Sequence, residues 1–266
     1  MSDESRLLFD IPGPRATRRT RIATGVALLA LTCLLALVVR QFAIRGQLDA
    51  DQWSMYTQWP ILRYLLEGVG QTLLVTAVAA TLTFPLGAAV ALLRLSRSRM
   101  LRAVARGYTE LFRAVPLLLL LYVFLFGLPR AGLTFPVFWQ LVIPIVLSNA
   151  AVVCELLRAG VLAQDRGQGE AAQSLGMTYW QSMRWVILPQ AVLRLVPALV
   201  SQLVRLLKDS TLGYTVSFLE LLHRTRVLGE YYHTVLSSYL VAAACYVLIS
   251  AALSRTADRL EQRQRQ

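Results

Sequence analysis

Few side chains in this sequence can hold a charged solute, and those few are closely spaced. Arg113 follows Glu110 by three residues and Arg158 follows Glu155 by three, while Arg205, Lys208, Asp209 and Ser210 close an apolar run. Residues i and i+3 share a helix face, so each acid–arginine pair is either a self-neutralising brace or a half-open cation site. A guanidinium meets a carboxylate with two parallel hydrogen bonds, which makes Arg113 a candidate for a substrate carboxylate. The competing reading is an ion pair of Arg113 with Glu110 or Glu155 that fixes packing, and Glu155–Arg158 has the same structural alternative. Lys208, with Asp209 and the hydroxyls of Ser210 and Thr211, is a second candidate carboxylate site. Alternatively, Lys208 snorkels to an interface. Arg194 and Arg205 fall on one side of a helix together with Lys208, because eleven residues make about three turns.

Other chemistries lack their residues. His223 and His233 are the only histidines and have no HExxH-like context. Cys33, Cys154 and Cys245 lie far apart in apolar runs, so neither a metal site nor a disulfide framework is expected. No GxxxxGK[ST] phosphate loop is present, which assigns any ATP chemistry to another chain. No His/Asp/Ser constellation points to an enzyme.

The elements that must position these residues are membrane helices. Of 266 residues, 56% are hydrophobic and 16% charged, and the mean hydropathy is +0.53. That is too apolar for a soluble domain of this size. Long apolar runs rather than alternation predict an all-α polytopic membrane protein with about six transmembrane helices. The net charge of +12 would suit nucleic acid, but the arginines flank apolar runs, as membrane orientation requires. Lys208 is the only lysine among 27 basic residues, which reads as coding bias rather than chemistry.

Residues 1–21 are expected to form a cytosolic basic tail kept irregular by Pro12-Gly13-Pro14, and 22–40 the first span. Residues 41–67, with Asp49, Asp51, Trp53, Tyr56 and Trp59, read as an outer-face connector with an interfacial aromatic belt. A second span runs from about Gly68 to Leu93, with a kink at Pro85 and Gly87. The basic stretch Arg94, Arg97, Arg99, Arg102 and Arg106 marks a cytosolic loop. A third span is expected from Tyr108 to Pro129, a fourth over 137–160, a fifth from Pro189 to about Leu207 and a sixth over 235–254. Residues 258–266 form a second cytosolic basic tail. Counted from a cytosolic N-terminus, every inner loop is basic; Arg224 and Arg226 fall outside, flanked by Glu220 and Glu230.

The most polar segment between spans is 167–189, GQGEAAQSLGMTYWQSMRWVILP. Glu170-Ala171-Ala172, then Gly176, then Val186-Ile187-Leu188-Pro189 predict two short helices meeting at a turn at Gly176, with Pro189 in the first turn of the next helix. Glu170 is expected to meet a partner protein or to cap the helix N-terminus. Trp180 and Trp185 are expected to anchor the segment at the interface. This spacing resembles the EAA loop, here 164–189, of ABC importer permeases of the type I fold. Gln71-Thr72-Leu73, Leu93-Arg94-Leu95-Ser96, Tyr108-x-Glu110-x-Phe112-Arg113-x-x-Pro116-Leu117, Glu155-x-x-Arg158-Ala159-Gly160 and Leu206-Leu207-Lys208-Asp209-Ser210 resemble the polar amino acid subfamily. The flanks Leu8-Phe9-Asp10-x-Pro12-Gly13-Pro14-Arg15 and Gly46-Gln47-Leu48, with Lys208-Asp209-Ser210-x-Leu212-Gly213-Tyr214, look like permeases of glutamate uptake systems of Gram-positive actinobacteria. Ala114, Val115 and Leu120 depart from that pattern, which has glycine, threonine and glutamine there.

The resemblance implies a permease subunit, with 68–257 as its transmembrane domain, that imports a polar amino acid, above all L-glutamate. Its ATPase-coupling residues would be Glu170, Ala171, Ala172, Gly176, Leu188 and Pro189. Its solute path would include Arg113, Glu155, Arg205, Lys208, Asp209 and Ser210. Expected partners are a pair of cytosolic ATPase subunits holding ATP and Mg, a sister permease or a second copy of this chain, an extracytoplasmic amino-acid-binding protein and membrane lipid, with no nucleic acid. The bacterial cell membrane, with both termini cytosolic, is the expected location. The alternatives are a permease for a different polar amino acid, and a stand-alone secondary transporter, which would need repeat symmetry.

Overall fold

The structure, a computed structural model, describes residues 14–264. The motif Leu8 to Gly13, and parts of the two expected tails, lie outside the described residues or their described side chains. Two units are distinguished, one ending at Met55 and one beginning at Tyr56.

The first unit is dominated by helix α1, Pro14–Ile44. It extends beyond the expected span at both ends because nothing in Arg15 to Arg21 or Gln41 to Ile44 stops a helix; the stop comes at Gly46, with φ of +67°. The expected connector holds a short helix, Ala50–Ser54, and a single turn, Met55–Thr57.

In the second unit, helix α2 spans Trp59–Leu95 with Pro60 in its first turn. It therefore begins well before Gly68. Its 37 residues make it about 55 Å long, well beyond the ~30 Å hydrocarbon layer. Thr76 and Thr81 donate their hydroxyls back to the carbonyls of Thr72 and Ala77, both at 2.8 Å, so neither polar group meets lipid unpaired. Helix α3, Arg99–Ala114, and helix α4, Leu117–Arg130, differ in direction by 97°. The expected span from Tyr108 to Pro129 thus falls on two helices. The break falls at Val115, which is extended (φ −83°, ψ 123°) because Pro116 disfavours helical backbone in the residue before it.

Helix α5 is Val137–Leu162. Helix α6, Arg166–Ser174, is followed by a turn and helix α7, Tyr179–Val216, which runs unbroken through a π-turn at Met183–Ile187 and ends in a 3-10 segment. The expected fifth span starting at Pro189 is therefore one with the second helix of the 164–189 segment. Helix α8, Leu221–Tyr231, and helix α9, Val235–Gln264, complete the chain. Five described helices are long and apolar enough to cross a membrane, α1, α2, α5, α7 and α9, and the bent pair α3–α4 makes a sixth.

The centre of the second unit is the α2–α5 seam. Val75, Ala79, Leu141, Val142 and Ile145 bury there against Leu121 of α4 and Leu206 of α7. Toward one end, Val90, Ala91, Val153, Cys154 and Leu157 continue the core against Ala105 of α3. Gly87 sets the spacing, since a Cβ there would stand 2.7 Å from Val153 and 2.9 Å from the Ala150 carbonyl. The other end is closed by α8. Thr72 accepts the Leu221 N–H at 3.1 Å, and Glu220, fully buried, accepts the N–H groups of Leu222 and His223 and the Tyr246 hydroxyl, each at 2.7 Å. Burial pushes the Glu220 carboxyl above its ordinary range, and these donors draw it back in part.

Candidate functional site

The first candidate site is the bend between α6 and α7. Asp165 opens α6 by accepting the Gly167 N–H at 2.9 Å, so the cap is Asp165 and not Glu170, which lies in the middle of the helix. The helix closes on Gly176, whose φ is +79°. Its N–H reaches the Gln173 carbonyl at 2.9 Å, and the Met177 N–H reaches the Ala172 carbonyl at 3.2 Å. These two bonds are those of a left-handed glycine stop. Thr178 and Gln181 then form a reciprocal capping box that starts α7.

The bend is fixed to the bundle from inside and bare outside. Tyr179 donates its hydroxyl to the Leu95 carbonyl at 2.8 Å, and the Arg97 guanidinium lies 4.8 Å over its ring. Met183, Ala191 and Val161 pack with Leu95, Ile187 and Leu188, and Ala172 is buried. On the opposite side Glu170 and Ala171 are exposed, as are Leu175, at 81%, Trp180 and Trp185. The EAA residues thus divide, with Ala172 holding the helix down and Glu170 and Ala171 presented outward.

The second candidate site gathers charges from four helices. Glu155 of α5 takes Arg94 of α2 and, at 3.0 Å, Arg158 one turn further on; Arg113 of α3 approaches it at 3.9 Å. Arg94 also donates to Thr109 at 2.8 Å. Glu110 is not the partner of Arg113, because Arg106 takes it at 2.6 Å. One carboxylate thus faces three guanidiniums, and Arg113 is the most distant and most exposed of them, with a side chain 54% open. An ion pair that long and open contributes little.

Arg113 opens instead onto a cavity of 360 Å³ that it lines with Arg205 of α7, Ser148 and Val152 of α5, and Phe112, Val115, Pro116 and Leu117 at the α3–α4 break. The extended backbone at Val115 is what leaves this gap. Behind it, Asn149 donates to Asp209 at 2.8 Å and accepts from Gln202 at 2.5 Å. That network keeps Asp209 turned toward α5. Ser210 is buried and donates to the Leu207 carbonyl at 2.7 Å, and Thr211 donates to the Lys208 carbonyl at 2.6 Å. Lys208 is exposed. The expected cluster of Lys208, Asp209 and the two hydroxyls is therefore not assembled, since each group is turned elsewhere by a local bond.

Sequence reasoning brought out Arg113, Arg205 and Glu155, which the fold places together. It missed Arg94 as the main partner of Glu155, and Ser148 and Gln202 altogether. The signals of Arg94 and Gln202 exist only across helices, in pairs separated by 61 and 53 positions.

Residues 83–266 match the family described as binding-protein-dependent transport system inner membrane component. The probable glutamine ABC transporter permease protein GlnM of Bacillus subtilis is 34% identical over 213 residues, which cover 80% of this chain and 94% of that protein. The glutamate transport system permease protein GluD of Corynebacterium glutamicum is 33% identical over 230 residues, covering 83% of this chain and 82% of that one. A crystal structure of an amino acid ABC transporter with histidines superposes with a TM-score of 0.76 at 31% identity, covering 81% of this chain and 100% of that chain.

Proposed function

The chain belongs to the binding-protein-dependent transport system inner membrane components, and from its site we propose that it conducts an acidic amino acid, above all L-glutamate, into the cell. It is the multi-pass permease of an ABC amino-acid importer and not an enzyme, ATP hydrolysis belonging to a separate subunit. The observation that carries the substrate reading is the cavity in which Arg113 and Arg205 face one space. Its 360 Å³ falls within the range of about 300–1,000 Å³ usual for small-molecule sites. Two guanidiniums suit a solute with two carboxylates, and they oppose a cationic one. Ser148 adds a hydroxyl, and Phe112, Val152 and Leu117 supply apolar wall.

The bend at 166–187 is the natural seat of the ATPase. Exposed Glu170 can meet a cationic side chain there, and Leu175 a hydrophobic socket. Because α7 is one helix, displacement of the bend moves Arg205, 26 positions on and about 39 Å away by helical rise. ATP-driven closure of an ATPase pair would thereby shift the cavity between outward- and inward-open states. The cytosolic side is read as the end holding Arg97 and Gly176, where Tyr179 joins α7 to Leu95 and Arg97. A sister permease, an extracytoplasmic binding protein and a pair of ATPases complete the proposed assembly.

The experiment is labelled glutamate uptake by cells carrying the native chain, R113Q or R205Q. Loss of a charge-assisted bond to a carboxylate is worth about 1.5–3 kcal/mol, so glutamate transport should fall by about 10-fold or more in each variant. Undiminished glutamate uptake in both variants would discard this cavity as the solute path.

A further inference from the structure

A second cavity of 360 Å³ lies at the end of the bundle near the bend, and the solute path does not use it. It is lined by Arg94, Arg99, Arg102, Ala103, Arg106 and Arg158. Glu155 holds Arg94 and Arg158, and Glu110 holds Arg106. Among the described residues, Arg102 donates only to the neutral carbonyls of Ser96 and Arg97, at 2.9 and 3.2 Å. Arg99 makes no ion pair among the described residues. Two guanidiniums on this wall therefore keep charges that no carboxylate among the described residues compensates, around a concave space of molecular size.

A second observation says where the balancing anion comes from. Met100, Val104 and Leu111 of the same helix are 73, 64 and 57% exposed. Their spacing of four and seven puts them in one stripe. On a wheel of about 100° per residue, Ala103, Gly107 and Ala114 lie next to this stripe, and Glu110, paired with Arg106, stands between them and the arginine edge. Helix α3 thus carries a basic edge, a low saddle and a bare apolar edge, and it leaves the direction of α4 by 97°. Such a helix suits the membrane–water boundary, where basic pockets between spans take the head groups of anionic lipids.

We infer that this cavity binds the phosphates of an anionic phospholipid, best a diphosphate head group of the cardiolipin class. Arg99 and Arg102 hold the phosphates, and the acyl chains cross Ala103 and Gly107 onto Met100, Val104 and Leu111. The bilayer is the source, because a free phosphate has no use for the apolar stripe. The site is independent of which solute the permease carries.

The test is native mass spectrometry of the purified chain in detergent, titrated with cardiolipin or phosphatidylcholine. R99Q/R102Q leaves every ion pair of the wall in place and removes only the bonds of Arg102 to two backbone carbonyls. R18Q/R19Q removes the same charge from α1. Each arginine near a lipid surface contributes on the order of fivefold, so cardiolipin binding should fall by about 25-fold in R99Q/R102Q. It should stay unchanged in R18Q/R19Q and resist excess inorganic pyrophosphate. Unchanged binding in R99Q/R102Q, equal loss in R18Q/R19Q, or no preference over phosphatidylcholine would overturn the site. Full displacement by pyrophosphate would overturn the lipid as its occupant. Glutamate uptake is not read in this experiment, so its failure and that of the solute path are separable.

Discussion

Glu155 and Gly176 show how much can hang on one residue here. Glu155 joins α5 to α2 and α3 through Arg94 and Arg113. Removing it leaves the largely buried guanidinium of Arg94 without a carboxylate, a loss of about 3–5 kcal/mol when one side of a buried pair goes. Glu155→Ala should therefore lower the midpoint of thermal unfolding in detergent well below that of R113Q, and equal midpoints would contradict the hub. Gly176 is required for its backbone and not for space, since nothing stands within 4 Å of where a Cβ would sit while φ is +79°. A left-handed residue other than glycine costs roughly 1 kcal/mol, and asparagine bears that cost best. Gly176→Asn should keep most of the uptake that Gly176→Val loses, with membrane insertion intact in both. Equal uptake by the two would show that the turn does not matter. The glycine was visible in the sequence, because its place after Glu170-Ala171-Ala172 predicts a turn. The partner of Glu155 was not, because Arg94 lies 61 positions away and several arginines nearer in sequence offered themselves.

At the scale of the element, α7 departs most from what its sequence suggests. Pro189 reads as a helix start, and an α-helical segment does open at Leu188. Yet a π-turn over Met183–Ile187 carries the helix through it, since a proline near the first turn leaves no bond unmade that a wider turn cannot absorb. The consequence is a continuous helix from the bend to Arg205. Softening it with Val186→Gly and Ile187→Gly should uncouple the two ends. Expected is an ATPase that still copurifies but whose hydrolysis no longer responds to the solute-loaded binding protein; a full response would mean that α7 is not the lever. The α3–α4 break has the opposite history. Apolar content alone reads as one span, but Pro116 denies its neighbour helical backbone, and the gap so made is the cavity proposed above as the solute path. The α2–α5 seam is legible only in the fold: Gly87→Ala should cost about 1–3 kcal/mol by overpacking against Val153 and the Ala150 carbonyl, read as a lower unfolding midpoint.

For the whole molecule, the helical class and the number of spans follow from composition and hydropathy, because a bilayer admits only helices and closed barrels, and long apolar runs without alternation suit helices. What composition cannot convey is which charges meet, since Arg113 and Arg205 come together only after α3 breaks and α7 runs on. The sidedness proposed above is a property at this scale. Single cysteines at Leu175 and Gly132, in a chain freed of its native cysteines, should react with an impermeant maleimide from opposite faces of the membrane; labelling of both from one face would reverse or refute it. The central claim is that two facing arginines make this permease an acidic amino acid importer. The most direct test is labelled glutamate uptake in cells with and without this gene, competed by aspartate, glutamine, arginine and histidine. Expected is uptake that needs the gene, yields to aspartate and ignores arginine and histidine. Gene-dependent uptake of arginine or glutamine, with glutamate unaffected, would contradict the claim.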